Sequence, residues 1–355
     1  MSEGIVLGFE SACALWRRVG ERVALRNQPD ERVAPLLIRL LFDKGTGVDL
    51  SDMPQRCRVT RIPASVDAPK LRIFQGELGE GEAVLHLCVS RRTGRRFVSG
   101  AICHLMSGSY PAGSFSRLED GVLVASPELT FMQMARFLDE DLLVAYGYEL
   151  CGYFARCHDE PGFCNCPPLT SVSRISEYLG RLEQLREDRG EGMPWGLSKA
   201  RRALSHVRDG AASPEEAVVA MVLTLPKRRG GYGIPRACLN AVVRLGAEAA
   251  ELFGIDSFVC DLSWNNGSTV LEYQGSQHKL RSRRSYDLRK GNVLVADGRS
   301  VIEMDRRMLA RREFMDEVAK SVSMALGIRW RSPSPRAATK QLALRNKLIQ
   351  HLDAR

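Results

Sequence analysis

The chain contains no run of about 18 apolar residues, the length a membrane-spanning helix needs, so no transmembrane segment is expected. Its opening residues, Met1 to Glu10, lack a basic stretch followed by a sustained apolar one, so no secretory leader is expected either. It has no G-x-S-x-G elbow, no H-E-x-x-H pair and no EF-hand loop. Those absences remove the sequence grounds for a hydrolase-type serine, a zincin-type metal pair or a calcium loop. Gly230-Gly-Tyr-Gly233 follows Pro226-Lys-Arg-Arg229 but lacks the strand–loop–helix context and the terminal Lys-Ser/Thr of a phosphate-binding loop. A turn with a solvated basic tip is expected there, with phosphate contact as the alternative. No internal repeat and no long low-complexity tract occurs.

What the chain does have is length and positive charge. At 355 residues it can form two domains. The formal net charge is +9 and the isoelectric point is about 9.1, which favours an anionic partner, nucleic acid being the commonest. Ten cysteines at irregular spacing, with no export signal, imply reduced thiols and a cytoplasmic location. Within them, Cys151, Cys157, Cys164 and Cys166 cluster around His158. Thiolates are zinc ligands, so a structural zinc site is one reading. The spacing contains no C-x2-C pair, and a thiol-rich loop is the other reading.

The pattern divides into an N-terminal mixed α/β domain over 1–184, a charged Gly-rich linker or surface loop over 185–196, a second domain over 197–330 and a basic helix over 331–355. In the first domain, Phe9 to Val19 and Asp30 to Phe42 read as amphipathic helices. Val84–Val89 and Phe97–Cys103 read as strands joined by a hairpin-like basic turn, Arg91 to Arg95. The strand Gly121–Ala125 runs into Ser126-Pro127-Glu128, a helix start, and a further helix spans Asp141 to Phe154. In the second domain the order is helix 215–225, hairpin 257–274, helix 285–297, strand 300–304 and helix 306–326. Gly298 stands where a left-handed residue ends a helix.

Within that hairpin, Ser257–Trp264 and Ser268–Gln274 are short apolar runs around Asn265-Asn266-Gly267. Asn-Gly between β-rich runs predicts a type I′ turn. Counting back from Asn266-Gly267 pairs Asp261 with Glu272. Like charges placed opposite each other repel, so a cation or a proton is expected between them. An exposed acidic pair, or a different register, is the bland alternative. Upstream, Ser213-Pro214-Glu215-Glu216 opens an apolar helix as a capping box.

From Ser213 to Gly327 these residues resemble the PD-(D/E)XK nuclease superfamily. The nearest likeness is to small enzymes related to the very-short-patch-repair endonuclease. The matching positions, in order, are Glu216, Asp261, Glu272, Gln274, His278, Asp287 and Lys290, then Gly298 before an apolar strand. The resemblance implies a restriction-endonuclease-like mixed sheet flanked by helices and a Mg²⁺- or Mn²⁺-dependent phosphodiester hydrolase. In it Asp261 and Glu272 hold the metal, Glu216 supports from its helix and Gln274 orients water or ligand. His278 assists proton transfer, and Asp287 with Lys290 braces the site. Gln274 departs from the acid or lysine usual there, and Lys290 from the usual arginine. Neutral Gln274 cannot act as a base, so a DNA-binding regulator that kept the fold and lost turnover is the alternative. The cations Lys279, Arg281, Arg283, Arg284, Arg289 and Lys290, continuing to Arg312, are expected to hold a nucleic-acid backbone without reading its sequence. The resemblance implies that this nucleic acid is DNA. The stretch Val122 to Ala135, with Glu149-Leu150-Cys151-Gly152, loosely resembles abortive-infection antitoxins. That implies a defence setting and a partner toxin. A purely protein-binding antitoxin is the third reading.

Overall fold

The computed structural model describes residues 4–26, 53–78, 84–95, 97–157, 161–275 and 281–353. Two compact units are distinct: Met1–Cys151 with Ala155–Val207, and Gly152–Phe154 with Arg208–Arg355. The expected helix from Asp30 to Phe42 lies outside the described residues.

The N-terminal unit is built on a six-stranded mixed sheet of β1 (Ile5–Leu7), β2 (Gln55–Arg56), β3 (Leu85–Val89), β4 (Ala101–Leu105), β5 (Phe115–Glu119) and β6 (Val122–Ala125), in the order β2-β5-β6-β1-β3-β4. Its helices are α1 (Phe9–Arg26), α2 (Ala68–Leu78), α3 (Pro127–Met134), α4 (Glu140–Cys151), α5 (Val172–Asp188) and α6 (Leu197–Leu204). The Ser126 signal works as read: its hydroxyl accepts from the backbone N–H of Leu129, and Pro127 takes the first helical position, where no N–H is needed. Every residue of α3 is buried, Glu128 included; its carboxylate is held by Arg56 at 2.8 Å and by the Thr170 hydroxyl at 2.7 Å.

One expectation fails here. β3 and β4 are parallel, with Leu85 beside Ala101 and Val89 beside Leu105, and do not form a hairpin. Residues 90–100 form a crossover, because parallel neighbours need the chain to return before pairing. Arg92–Gly94 makes a single 3₁₀ turn, and Gly94 is pressed against the backbone of Ala64, where a Cβ would lie 2.0 Å from a carbonyl oxygen. Of the two readings of 185–196, the loop is the one seen: α5 runs to Asp188, and α6 follows the loop within the same unit.

The C-terminal unit carries a four-stranded sheet in the order β12-β11-β10-β9, made from β9 (Cys238–Arg244), β10 (Ser257–Trp264), β11 (Thr269–Gln274) and β12 (Ser300–Asp305). β9, β10 and β11 are antiparallel neighbours, and β12 runs parallel to β11. Its helices are α7 (Pro214–Thr224), α8 (Ala247–Phe253), α9 (Arg281–Ala296), α10 (Arg306–Ala310), α11 (Arg312–Ala325) and α12 (Pro335–Asp353). Val243, Phe258, Cys260 and Val270 pack with Val293 and Leu294 of α9. Gly298 ends α9 with φ +75°, and the N–H of Arg299 returns to the Leu294 carbonyl, a Schellman-type close. The basic C-terminal helix packs on its unit through Ala338, Leu344 and Leu348. The glycine loop packs too: a Cβ at Gly230 would sit 2.4 Å from the Lys340 carbonyl oxygen, and one at Gly231 2.0 Å from that of Leu225.

The β10–β11 turn holds the expected type I′ step at Asn266-Gly267, but the loop is longer than the two residues expected: Asn265 is also left-handed (φ 46°), Ser268 is helical (φ −63°, ψ −28°), and the strands pair from Trp264 and Thr269. Asn266 has φ 56° and ψ 32°, Gly267 has φ 84°, and the Ser268 N–H donates to the Asn265 carbonyl, as a type I′ turn requires. Arg299 clamps this turn, donating to the Gly267 carbonyl at 2.8 Å and to that of Arg244 while pairing with Asp297 at 2.7 Å. At Gly267 a Cβ would meet Val243 at 2.5 Å and Arg299 at 2.9 Å; at left-handed Gly254 it would meet nothing within 4 Å. Gly267→Ala is therefore expected to cost about 2–4 kcal/mol, left-handed strain plus overpacking, and Gly254→Ala only about 1–2 kcal/mol. Urea unfolding of the two variants checks this; equal costs would refute the clamp.

Candidate functional site

The acidic centre of the C-terminal unit begins at the capping box of α7. The Ser213 hydroxyl accepts from the Glu216 N–H at 3.1 Å and donates to Glu216 Oε1 at 3.1 Å. Glu216 Oε2 accepts from the Ala212 N–H at 2.9 Å and from Asn240 Nδ2 at 2.5 Å. Glu216 thus does the work of a capping residue and is buried while doing it. Asn240 comes from the middle of β9 and has φ +46°, which the short polar side chain of Asn tolerates better than most. Neither β9 nor Asn240 was apparent in the sequence; the strand's buried and exposed positions do not alternate cleanly.

The hairpin register is the one counted from Asn266-Gly267. Leu262 pairs with Leu271 and Trp264 with Thr269, so the next step back brings Asp261 level with Glu272. At that step the ladder changes character. Asp261 is skipped in the pairing with β9, between Cys260–Ala241 and Leu262–Leu239, opposite left-handed Asn240. Its carboxylate turns to the other neighbour, and Oδ2 accepts from the Tyr273 N–H at 2.7 Å. Asp261 therefore fills a gap in the sheet with a charge-assisted hydrogen bond.

Glu272 faces α9. Its Oε2 accepts from Lys290 Nζ at 2.5 Å, and Lys290 also donates to the Val259 carbonyl at 2.6 Å. Glu272 Oε1 is buried with no hydrogen-bond partner among the described residues. Lys290 is only 8 % exposed, so the expectation that it contacts a nucleic-acid backbone is corrected. A buried ammonium is tolerated there because a carboxylate and a carbonyl receive it. Glu303, absent from the sequence reading, sits beside Glu272 in the parallel ladder and so shares its sheet face. Gln274 stands next to Asp305 at the strand end, and Asp305 caps α10 by accepting from the Met308 N–H.

Burial, then the Asp261 charge, pushes the Glu216 carboxyl up to about 8, against the opposing effect of Ala212, Asn240 and Ser213. Burial and Asp261 likewise push Glu272 up to about 7, with Lys290 pulling the other way. For Lys290, burial works to lower the pKa, and Glu272, Cys260 and Asp261 outweigh it, so the ammonium is held more firmly than usual. One carboxylate, Asp261, therefore loads both of its neighbours.

Other expected site residues fall elsewhere. His278 and Lys279 lie outside the described residues, as do the side chains of Arg281, Arg283 and Arg284 on α9. Asp287 is half-buried on that helix, and Arg289 is exposed, donating to the Phe253 carbonyl at 3.0 Å. Arg306 pairs with Asp353 and Arg312 with Asp316. The zinc set of Cys151, Cys157, Cys164 and Cys166 does not assemble among the described residues, where Cys157 and Cys164 instead meet Glu21. Cys151 ends a buried helix and Cys166 is packed with Ala155, so both are core. His158 lies outside the described residues. No helix among those described is long and apolar enough to cross a membrane. No family model, curated protein or solved structure matches the chain.

The raised acids make stability depend on pH. Because Glu216 and Glu272 hold protons more tightly folded than unfolded, their contribution is complete below the ordinary carboxylate range. It is lost as pH rises through about 7 and about 8. Without divalent cations, the urea midpoint of the C-terminal unit is expected to fall from about pH 5 to about pH 9. Glu216→Gln should flatten that slope. A slope that Glu216→Gln leaves unaltered would contradict the loaded cluster.

Proposed function

We propose that the C-terminal unit is a PD-(D/E)XK-like, metal-dependent phosphodiesterase acting on DNA. The observation that carries this reading is the meeting of Glu216 and Asp261 at Asn240, the first through its amide and the second level with it in the ladder, with Glu272 level with Asp261 and paired with Lys290. Asp261 and Glu272 would hold the cation. Their chemistry fits a hard ion: both offer oxygen, and Glu272 Oε1 is buried without an N–H or O–H donor among the described residues, the Cys260 thiol being a weak donor to the carboxylate. Mg²⁺ is commonly bound by one or two carboxylates and keeps several waters, so two carboxylates suffice. When bound, the ion supplies charge neutralisation at phosphate and a more acidic water.

The chain's own groups do the rest. Lys290 holds one oxygen of Glu272, and the other has no N–H or O–H donor among the described residues. Asn240 and the capping box fix the Glu216 carboxyl, whose affinity for protons near neutral pH suits it to hold or release one. The net charge of +9 favours a polyanion. A defence or toxin–antitoxin setting remains part of this proposal through the sequence resemblance, and so does a partner toxin.

Gln274 makes a non-catalytic DNA-binding regulator the second reading. Cleavage of duplex DNA by the purified protein with Mg²⁺ or Mn²⁺, lost on chelation, is the expected result. The clean inactivating change is Asp261→Asn, because Glu272→Gln would leave Lys290 buried without its carboxylate, at about 3–5 kcal/mol. Asp261→Asn should lower cleavage by roughly 100-fold or more and spare DNA binding. No cleavage by the wild type, with gain of cleavage in Gln274→Asp or Gln274→Lys, would identify a lapsed nuclease. No cleavage by any of them and no cation binding would remove the catalytic reading.

DNA binding itself is expected to rest on the cations of α9. Replacing Arg283, Arg284 and Arg289 by Ala should reduce the salt slope by about one unit for each phosphate no longer neutralised. An unchanged slope would move the binding face elsewhere.

A further inference from the structure

The N-terminal unit brings two thiols and a carboxylate together from opposite ends of its sequence. β7 (Phe154–Arg156) and β8 (Phe163–Asn165) form a two-stranded ribbon, extended by the Cys157 N–H donating to the Gly162 carbonyl at 3.0 Å. Cys157 leaves β7 and Cys164 lies in β8, so the ribbon holds the two side by side. Glu21 arrives on the last turns of α1. The preceding residue, Gly20, lies against Cys166: a Cβ there would be in ordinary contact, 3.4 Å from Cys166 Cβ and 3.5 Å from its Sγ. The helix therefore passes against the exit of β8 at Gly20, and the next residue, Glu21, stands beside Cys157 and Cys164.

The ligand atoms of Glu21, Cys157 and Cys164 lie within 4.8 Å of one another, and all three residues are half-buried. Ligand atoms around tetrahedral zinc are roughly 3.3–3.8 Å apart, so closure needs only side-chain adjustment. We propose that Glu21, Cys157 and Cys164 bind one Zn²⁺, with solvent as the fourth ligand, and that the ion pins the end of α1 to the β7–β8 ribbon. Two soft thiolates with a single carboxylate select zinc over magnesium, which separates this site from the all-oxygen cluster of the other unit. Binding releases the two thiol protons and leaves a net charge of −1. Arg156 directly precedes Cys157 and interacts with its charge, which offsets part of this.

Cobalt reads the thiolates directly. Full-length protein, reduced, freed of metal with chelator and desalted under nitrogen, is titrated with Co²⁺ and then with Zn²⁺. The expected result is one Co²⁺ per chain with a thiolate-to-cobalt charge-transfer band that Zn²⁺ abolishes, and a higher melting temperature with Zn²⁺. Cys157→Ser and Cys164→Ser should each weaken the band and the double variant should lack it. Cys166→Ala, folded by circular dichroism, should keep it. Glu21→Gln leaves both thiols in place and should keep the band with an affinity lower by about 10-fold or more. No band at saturating Co²⁺, a band that survives the double variant, one lost in folded Cys166→Ala, or unchanged affinity in Glu21→Gln would each overturn the site.

Discussion

The register of the β10–β11 hairpin decides where the charged groups of the C-terminal unit lie. Side chains alternate along a strand, so a slip of one residue would exchange the two faces of β11 and carry Glu272 away from Lys290. The turn resists that slip through three consecutive left-handed residues, Asn265, Asn266 and Gly267. Arg299 adds a second restraint by tying the turn to the end of β9 and to Asp297. A solvent-facing turn thus governs a buried acid cluster through nothing but the two-residue period of the strand.

The cluster itself is a compromise between solvation and pairing. Removing a carboxylate from water costs several kcal/mol unless hydrogen bonds or opposite charge offset it. Asp261 is satisfied by a backbone N–H, Glu216 by a capping box and an asparagine, and Glu272 by one lysine. The residual cost appears as raised proton affinity at Glu216 and Glu272. A stable core could have been built more cheaply from apolar residues of the same size. Glu272 Oε1 is left without a hydrogen-bond partner among the described residues. In the N-terminal unit, buried Glu128 and Glu149 are likewise met by cations, Arg56 and Arg17.

Local signals were legible wherever one short stretch contained its own physical cause. Ser126-Pro127 and Ser213-Pro214 start helices because the hydroxyl caps an N–H and proline gives up one it does not need. Asn266-Gly267 makes its turn for reasons confined to two residues. Signals failed where the cause was distant. The basic stretch from Arg91 to Arg95 looks like a hairpin turn, yet its strands pair in parallel because the chain crosses over before returning. The helix expected over 306–326 is broken at Arg311, whose extended backbone separates α10 from α11. Cys151 and Cys166, close in sequence to two thiols that do meet, belong to the core, since helix and strand periods send their side chains elsewhere.

The sequence by itself determined the helix starts, the hairpin turn, the register that sets Asp261 level with Glu272, and a positive charge suited to a polyanion. Each is a consequence of backbone stereochemistry or composition over a few residues. Tertiary structure alone decided which charges are buried and what they meet. It drew Lys290 from an apparently basic surface into a pair with Glu272, supplied Asn240 to Glu216 from a strand with no clean alternation, and set Glu21 beside Cys157 and Cys164. Those contacts join residues far apart in the chain, and their energies depend on desolvation, which no local pattern of residues contains.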